Sequence, residues 1–165
     1  MDTPRPRVYV ETTIPSAYYT SRTDPAMLER RDWTRTWWHH ASSACELVTS
    51  PATLRELLRG RSRHVPSRIL LLEGLEILAV TAPVLATAQA YIQHKLMPVK
   101  PSADALHLAL ASHGACSVLV TWNYRHLANP RKFDQIRRLN QRLRLGVPAL
   151  TTPRALLGGG DEEAT

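Results

Sequence analysis

Short apolar runs alternate with longer stretches of helical period along the chain. Val8-Tyr-Val10, Cys45–Thr49, Glu76–Val80, Cys116–Thr121 and Val147–Leu150 are brief, β-rich and bounded by turn or capping residues, which predicts five strands, the last of them weak. Between them the spacing predicts helices opening near Ile14 and running over Asp24–Ser43, Ala52–Arg59, Pro66–Glu73, Ala82–Leu96, Ser102–His113 and Asn129–Leu143, with a short one from Thr152. Thr12 or Thr13, Asp24, Ser50 and Ser102 stand where N-caps belong, and Pro25 and Pro51 fit a first turn. Gly60, Gly74, Gly114 and Gly146 stand where helices stop. Strands alternating with helices imply a three-layer α/β/α domain around a parallel sheet of four to five strands. One domain is expected over residues 1–157, with a disordered tail over 158–165.

Composition changes this picture little, and charge changes it more. No apolar run approaches the ~20 residues of a membrane span, and no hydrophobic leader follows Met1, so a cytoplasmic location is the default. Cys45 and Cys116 make neither a disulfide framework nor a zinc motif and read as small buried hydrophobes. The formal net charge is +7, carried mostly by arginine. A basic surface rich in planar, bidentate donors points to a polyanion, although solubility alone would also explain it. Trp33 and Trp37 lie four apart on one helical face; they suit a core, a stacked base or a partner. His39 and His40 are adjacent and point apart, which makes a poor metal pair.

Four side chains carry candidate chemistry. Glu11 and Asn123 directly follow the first and fourth strands, at the sheet edge where open α/β folds place ligands. Glu56 lies in the helix after the second strand, and Asp104 opens the helix before the fourth. Singly, Glu56 reads equally as a solvated helix glutamate, and Asp104 as an acid favoured by the helix dipole. Glu11 is harder to place without a partner, because a carboxylate straight after a buried strand is costly alone. Together, three carboxylates and an amide are hard oxygen donors suited to Mg²⁺ or Mn²⁺.

In order along the chain, Val8-Tyr-Val-Glu11-Thr-Thr, Ser50-Pro-Ala-Thr-Leu-Arg-Glu56-Leu, Ala103-Asp104-Ala-Leu-His-Leu-Ala109, Leu119-Val-Thr121-Trp-Asn123 and Val147–Pro153 resemble the PIN-domain family, most of all the VapC-type toxins of bacterial toxin–antitoxin pairs. The resemblance spans roughly residues 7 to 157. It implies a Mg²⁺- or Mn²⁺-dependent endoribonuclease whose first three acids fall on Glu11, Glu56 and Asp104, the metal-holding set, and whose fourth position falls on Asn123. Thr12 (or Thr13) and Thr121 would be the supporting hydroxyls. Arg55, Arg59, Arg61, Arg131 and Arg138 are then the candidates for contacts to an RNA backbone. A cognate antitoxin is the implied partner, and the tryptophans and arginine-rich faces would serve it or a homodimer.

Two departures stand out. The family's first acid is normally Asp, and Glu11 is one methylene longer; its fourth is often Asp, and Asn123 keeps an oxygen but loses a charge. They motivate a second reading, a PIN-like RNA-binding or partner-binding module with little or no catalysis. A nucleotide-binding doubly wound protein is disfavoured, since neither G-x-G-x-x-G nor a Walker A pattern occurs.

Overall fold

The computed structural model describes residues 3–100 and 103–159. The strands are β1 (Arg7–Val10), β2 (Glu46–Thr49), β3 (Glu76–Ile77), β4 (Val118–Val120) and β5 (Ala149–Thr151). The helices are α1 (Thr13–Tyr18), α2 (Pro25–Ala44), α3 (Pro51–Arg59), α4 (Val65–Leu71), α5 (Ala82–Gln93), α6 (Ala103–His113), α7 (Pro130–Arg142) and α8 (Pro153–Leu156). All strand pairs are parallel, in the order β3-β2-β1-β4-β5. The chain winds outwards from β1 to β3, then crosses back to the other side of β1. The order therefore reverses between β1 and β4, and the carboxyl ends of strands at such a reversal are where open α/β sheets hold ligands.

β1 is central and buried on both faces, as its unbroken apolar run requires. Tyr9 faces one core with Val48, Leu119, Leu150, Leu108 of α6 and Ile136 and Leu139 of α7. Val8 and Val10 face the other with Val120, Ile14 of α1 and Trp37 of α2. These are the two helical layers on a single sheet, as the alternation of elements predicts. On the Tyr9 side a buried polar network locks α5, α6 and α7 together. The Tyr91 hydroxyl donates to Asn140 Oδ1 (2.6 Å), and Asn140 Nδ2 donates to Ser112 Oγ (3.0 Å) and to the Gly146 carbonyl (2.9 Å).

Several boundaries differ from expectation, each for a local reason. β3 keeps only Glu76 and Ile77 of the five residues expected, because Leu78 turns inwards to the core while Ala79 and Val80 lie exposed. β5 starts at Ala149 rather than Val147, since Pro148 has no N–H to give the ladder. α5 ends at Gln93, three residues early, where Lys95 takes a left-handed φ of 57° and Leu96 N–H closes on the Tyr91 carbonyl. Asp24 precedes α2 but does not cap it with its side chain; its carboxylate accepts from Arg22 Nε instead (2.9 Å). Ser50 does cap α3, and Thr152 caps α8. The left-handed residue after α6 is Ala115 (φ 53°), not Gly114. Gly114 is required for closeness: a Cβ there would stand 2.7 Å from Leu78 Cδ1 and 2.9 Å from the Leu110 carbonyl oxygen. Ser102, the expected cap of α6, lies outside the described residues. So do residues 160–165 of the expected tail, while Gly158 and Gly159 are hydrogen-bonded back onto α8.

Trp37 is core, so a partner could not reach it without unfolding α2. Trp33 and Trp38 pack at the margin of the same core, Trp38 edge-on to Tyr18 and Trp37. Cys116 is buried, which pushes its thiol up to about 11; Cys45 is half-buried. Among the described residues no helix is long and apolar enough to cross a membrane.

Candidate metal centre at the carboxyl edge of the sheet

Glu11 leaves β1 at the reversal point, its N–H still bonded to the Val120 carbonyl (3.3 Å), and is only 3% exposed. Its Oε2 accepts three hydrogen bonds: from Thr13 N–H (3.0 Å), Thr13 Oγ1 (2.5 Å) and Thr121 Oγ1 (2.8 Å). The two threonines are fixed in turn, since Thr13 Oγ1 accepts from Trp122 N–H and Thr121 Oγ1 from Asn123 N–H. Thr12 and Thr13 were the expected caps of α1; no side-chain cap is made there, because both hydroxyls are given to carboxylates. Thr12 Oγ1 donates to Glu56 Oε1 at 2.7 Å.

Glu56 is not a freely solvated helix residue. His107 Nε2 meets its Oε1 at 2.5 Å, on a ring with no exposure. His107 Nδ1 is 2.7 Å from the Tyr9 hydroxyl, which is 2.6 Å from Ser50 Oγ, the cap of α3. Glu11, Glu56 and His107 form a group whose ligand atoms all lie within 4.8 Å of one another. His107 is the site residue that sequence reasoning passed over. A signal was present: it stands three positions after Asp104 on a helix otherwise apolar nearly all round, so both project from one face.

Asp104 is buried beside this group rather than within it. Its Oδ1 accepts from Asn123 Nδ2 (3.3 Å), and its Oδ2 is buried with no hydrogen-bond partner. Asn123 presents its amide nitrogen to Asp104 and uses its oxygen to accept His126 N–H (3.1 Å). It thus props Asp104 instead of offering an oxygen to the site. Of the five arginines singled out, Arg55, Arg59, Arg61, Arg131 and Arg138 are all exposed, and Arg138 is paired to Asp134 at 2.8 Å. Arg59 is close enough to favour the Glu56 charge, and Lys132 of α7, not foreseen, does the same for Asp104.

The charges are crowded, and burial decides most of their balance. Burial raises the Glu11 carboxyl above its ordinary range against the pull of His107, Thr13 and Thr121. Asp104 is raised too, by burial and by the Glu56 charge. Burial also works against the Glu56 carboxylate, but the bonds from His107 and Thr12 outweigh it and leave it lowered. For His107 burial favours the neutral ring, yet Glu56, Glu11 and Asp104 together raise its pKa.

The donor set suits a hard divalent cation. Glu11, Glu56 and Asp104 carry hard oxygen donors, and the bare Asp104 Oδ2 is a buried carboxyl oxygen with no hydrogen-bond partner. The stability of the metal-free protein should therefore pass through a maximum with pH. On the acid side, stability is lost as pH falls through the lowered Glu56 value, since the folded state holds that proton less tightly than the unfolded chain. Above the ordinary carboxyl range it declines as pH rises through the raised values of Glu11 and Asp104, and then of His107, because the folded state holds those protons more tightly. Saturating Mn²⁺ should remove the carboxylate part of that decline, adding about 2.7 kcal/mol at a hundredfold excess over Kd. Thermal melts across pH with Mn²⁺ or with EDTA check this; parallel curves would contradict it.

A family model described as PIN domain matches residues 8–132. Two solved structures share the fold. A chain of VapBC-1 from nontypeable Haemophilus influenzae is 18% identical with a TM-score of 0.50, covering 73% of this chain and 89% of that one. A chain of VapBC2 from Rickettsia felis, solved bound to a DNA fragment from their promoter, is 17% identical with a TM-score of 0.53, covering 88% of this chain and 96% of that one. Among curated proteins there is no sequence match.

Proposed function

The chain belongs to the PIN-domain family, and on that premise we propose that it is a Mg²⁺- or Mn²⁺-dependent endoribonuclease, the VapC-like toxin of a toxin–antitoxin pair. The observation that carries this reading is the convergence of Glu11 and Glu56 on the reversal point of the sheet, beside a buried Asp104 oxygen that lacks a partner. Glu11, Glu56 and Asp104 would hold the ion. Such an ion supplies an acidified water and charge neutralisation at a phosphoryl group. Thr12 orients Glu56, Thr13 and Thr121 orient Glu11, and Asn123 orients Asp104. Arg55 and Arg59 are carried by the helix of Glu56, with Arg61 just beyond its end, and Arg131 and Arg138 are carried by α7; in this reading they bind the RNA backbone, which positions the strand without reading its sequence. The same basic faces suit an antitoxin segment carrying acidic residues. A cytoplasmic homodimer under antitoxin control is the assembly this reading implies.

The second reading, a binding module without catalysis, draws on Asn123, whose oxygen is engaged by the His126 backbone. A cleavage assay separates the two. Antitoxin-free protein should cut tRNA or structured RNA with Mg²⁺ or Mn²⁺ and stop cutting with EDTA, while a DNA substrate tests the choice of nucleic acid. Folded protein that binds RNA but cuts nothing in either metal would favour the module.

A further inference from the structure

Building on the nuclease reading, we infer that His107 is a positioning residue for Glu56 and not a ligand of the ion, because both of its ring nitrogens are spent in a buried chain of hydrogen bonds. The chain begins at the cap of α3 and ends on the carboxylate that the same helix carries. Ala52 N–H donates to Ser50 Oγ (3.2 Å), and that hydroxyl also meets the Tyr9 oxygen (2.6 Å). The Tyr9 oxygen in turn occupies His107 Nδ1 (2.7 Å), whichever of the two atoms holds the proton. Nε2 carries a proton and gives it to Glu56 Oε1 (2.5 Å).

The far end of the chain fixes that proton. A carboxylate only accepts, so a bare Nε2 facing Glu56 at 2.5 Å would set two lone pairs against each other. Tyr9, Ser50 and His107 have no exposure, so water cannot substitute for a broken link. The ring is also held edge-on to Tyr9, with centroids 5.7 Å apart. His107 and Thr12 both donate to Oε1 of Glu56, which leaves Oε2 for an ion. Although His107 lies among mutually close ligand atoms, its nitrogen could bind a cation only by giving up the proton that holds Glu56.

Two measurements test this. Long-range ¹H–¹⁵N spectra of the wild-type histidines should show a proton on His107 Nε2 in the metal-free protein and again at saturating Mg²⁺. An unprotonated Nε2 in either state overturns the inference. Calorimetry with Mn²⁺ supplies the second readout. His107→Leu, which removes the donor, should weaken Mn²⁺ binding by about 10- to 100-fold, whereas His107→Gln, which can place an N–H near Nε2, should recover most of that loss. Equal losses in the two folded variants would make His107 a ligand. If the wild type binds neither ion, it is the metal-nuclease reading that fails, and the Nε2 proton in the metal-free protein still decides whether His107 holds Glu56.

Discussion

Asp104→Asn protein is expected to fold at least as stably as the wild type and to lose metal-dependent RNA cleavage by about 100-fold or more. The two halves of that result have one cause. Asp104 Oδ2 is buried with no hydrogen-bond partner, and burial raises the carboxyl's pKa. An ionised oxygen in that position costs the metal-free fold free energy, because no hydrogen-bond donor replaces the water it has lost and the charges of His107 and Lys132 do not outweigh its burial. Asparagine keeps the shape and removes the charge, so the fold is relieved while the cation loses an anionic ligand. Melting curves in EDTA, Mn²⁺ calorimetry and RNA cleavage on the same preparation check all three consequences. Near wild-type cleavage by the variant would remove Asp104 from the site. A large loss of stability in EDTA would make Asp104 a structural residue instead.

Glu11→Asp should lower activity rather than restore a more family-like site, by about 10- to 100-fold. Sequence comparison alone suggests the opposite, because the family's first acid is normally Asp. The surroundings of Glu11 decide otherwise. Its Oε2 is met by Thr13 N–H, Thr13 Oγ1 and Thr121 Oγ1, and both hydroxyls are themselves fixed by backbone N–H groups. An aspartate carboxylate would stop about 1 Å short of all three donors. It would leave the hydroxyl protons of Thr13 and the buried Thr121 without their acceptor, at a cost of about 1–3 kcal/mol. The longer side chain is matched by its own cradle, which argues against a decayed site. Activity that rose in Glu11→Asp, without loss of thermal stability, would show instead that the natural glutamate is a handicap and would support the binding-module reading.

The element order was legible because each element is announced locally. Val8-Tyr-Val10 could only be a buried strand, Ser50-Pro51 opens a helix whatever surrounds it, and Asn129-Pro130 does the same for α7. Boundaries were less legible where pairing or packing sets them. The alternation at Glu76–Val80 reads as five strand residues, but β3 lies at the sheet edge and only two of them pair. Gly114 reads as a helix stop, yet its neighbour Ala115 makes the left-handed turn and Gly114 makes room for Leu78.

The amino-acid order alone brings Glu11, directly after β1, and Asn123, three residues after β4, to one sheet edge, because parallel strands all end on the same side. It also puts Glu56 and Asp104 on helices adjoining that edge. What those residues do there follows from packing between elements. Tyr9, Ser50, Glu56 and His107 come from β1, the start of α3, the body of α3 and the middle of α6, and their hydrogen bonds join positions 41 to 98 residues apart or set a capped helix's carboxylate against another helix. Asn123 likewise reads as an oxygen donor until the His126 backbone is seen to claim that oxygen. Periodicity places a residue on an element and a face. Which of its atoms are already engaged depends on packing between elements, and no local pattern in the chain encodes that.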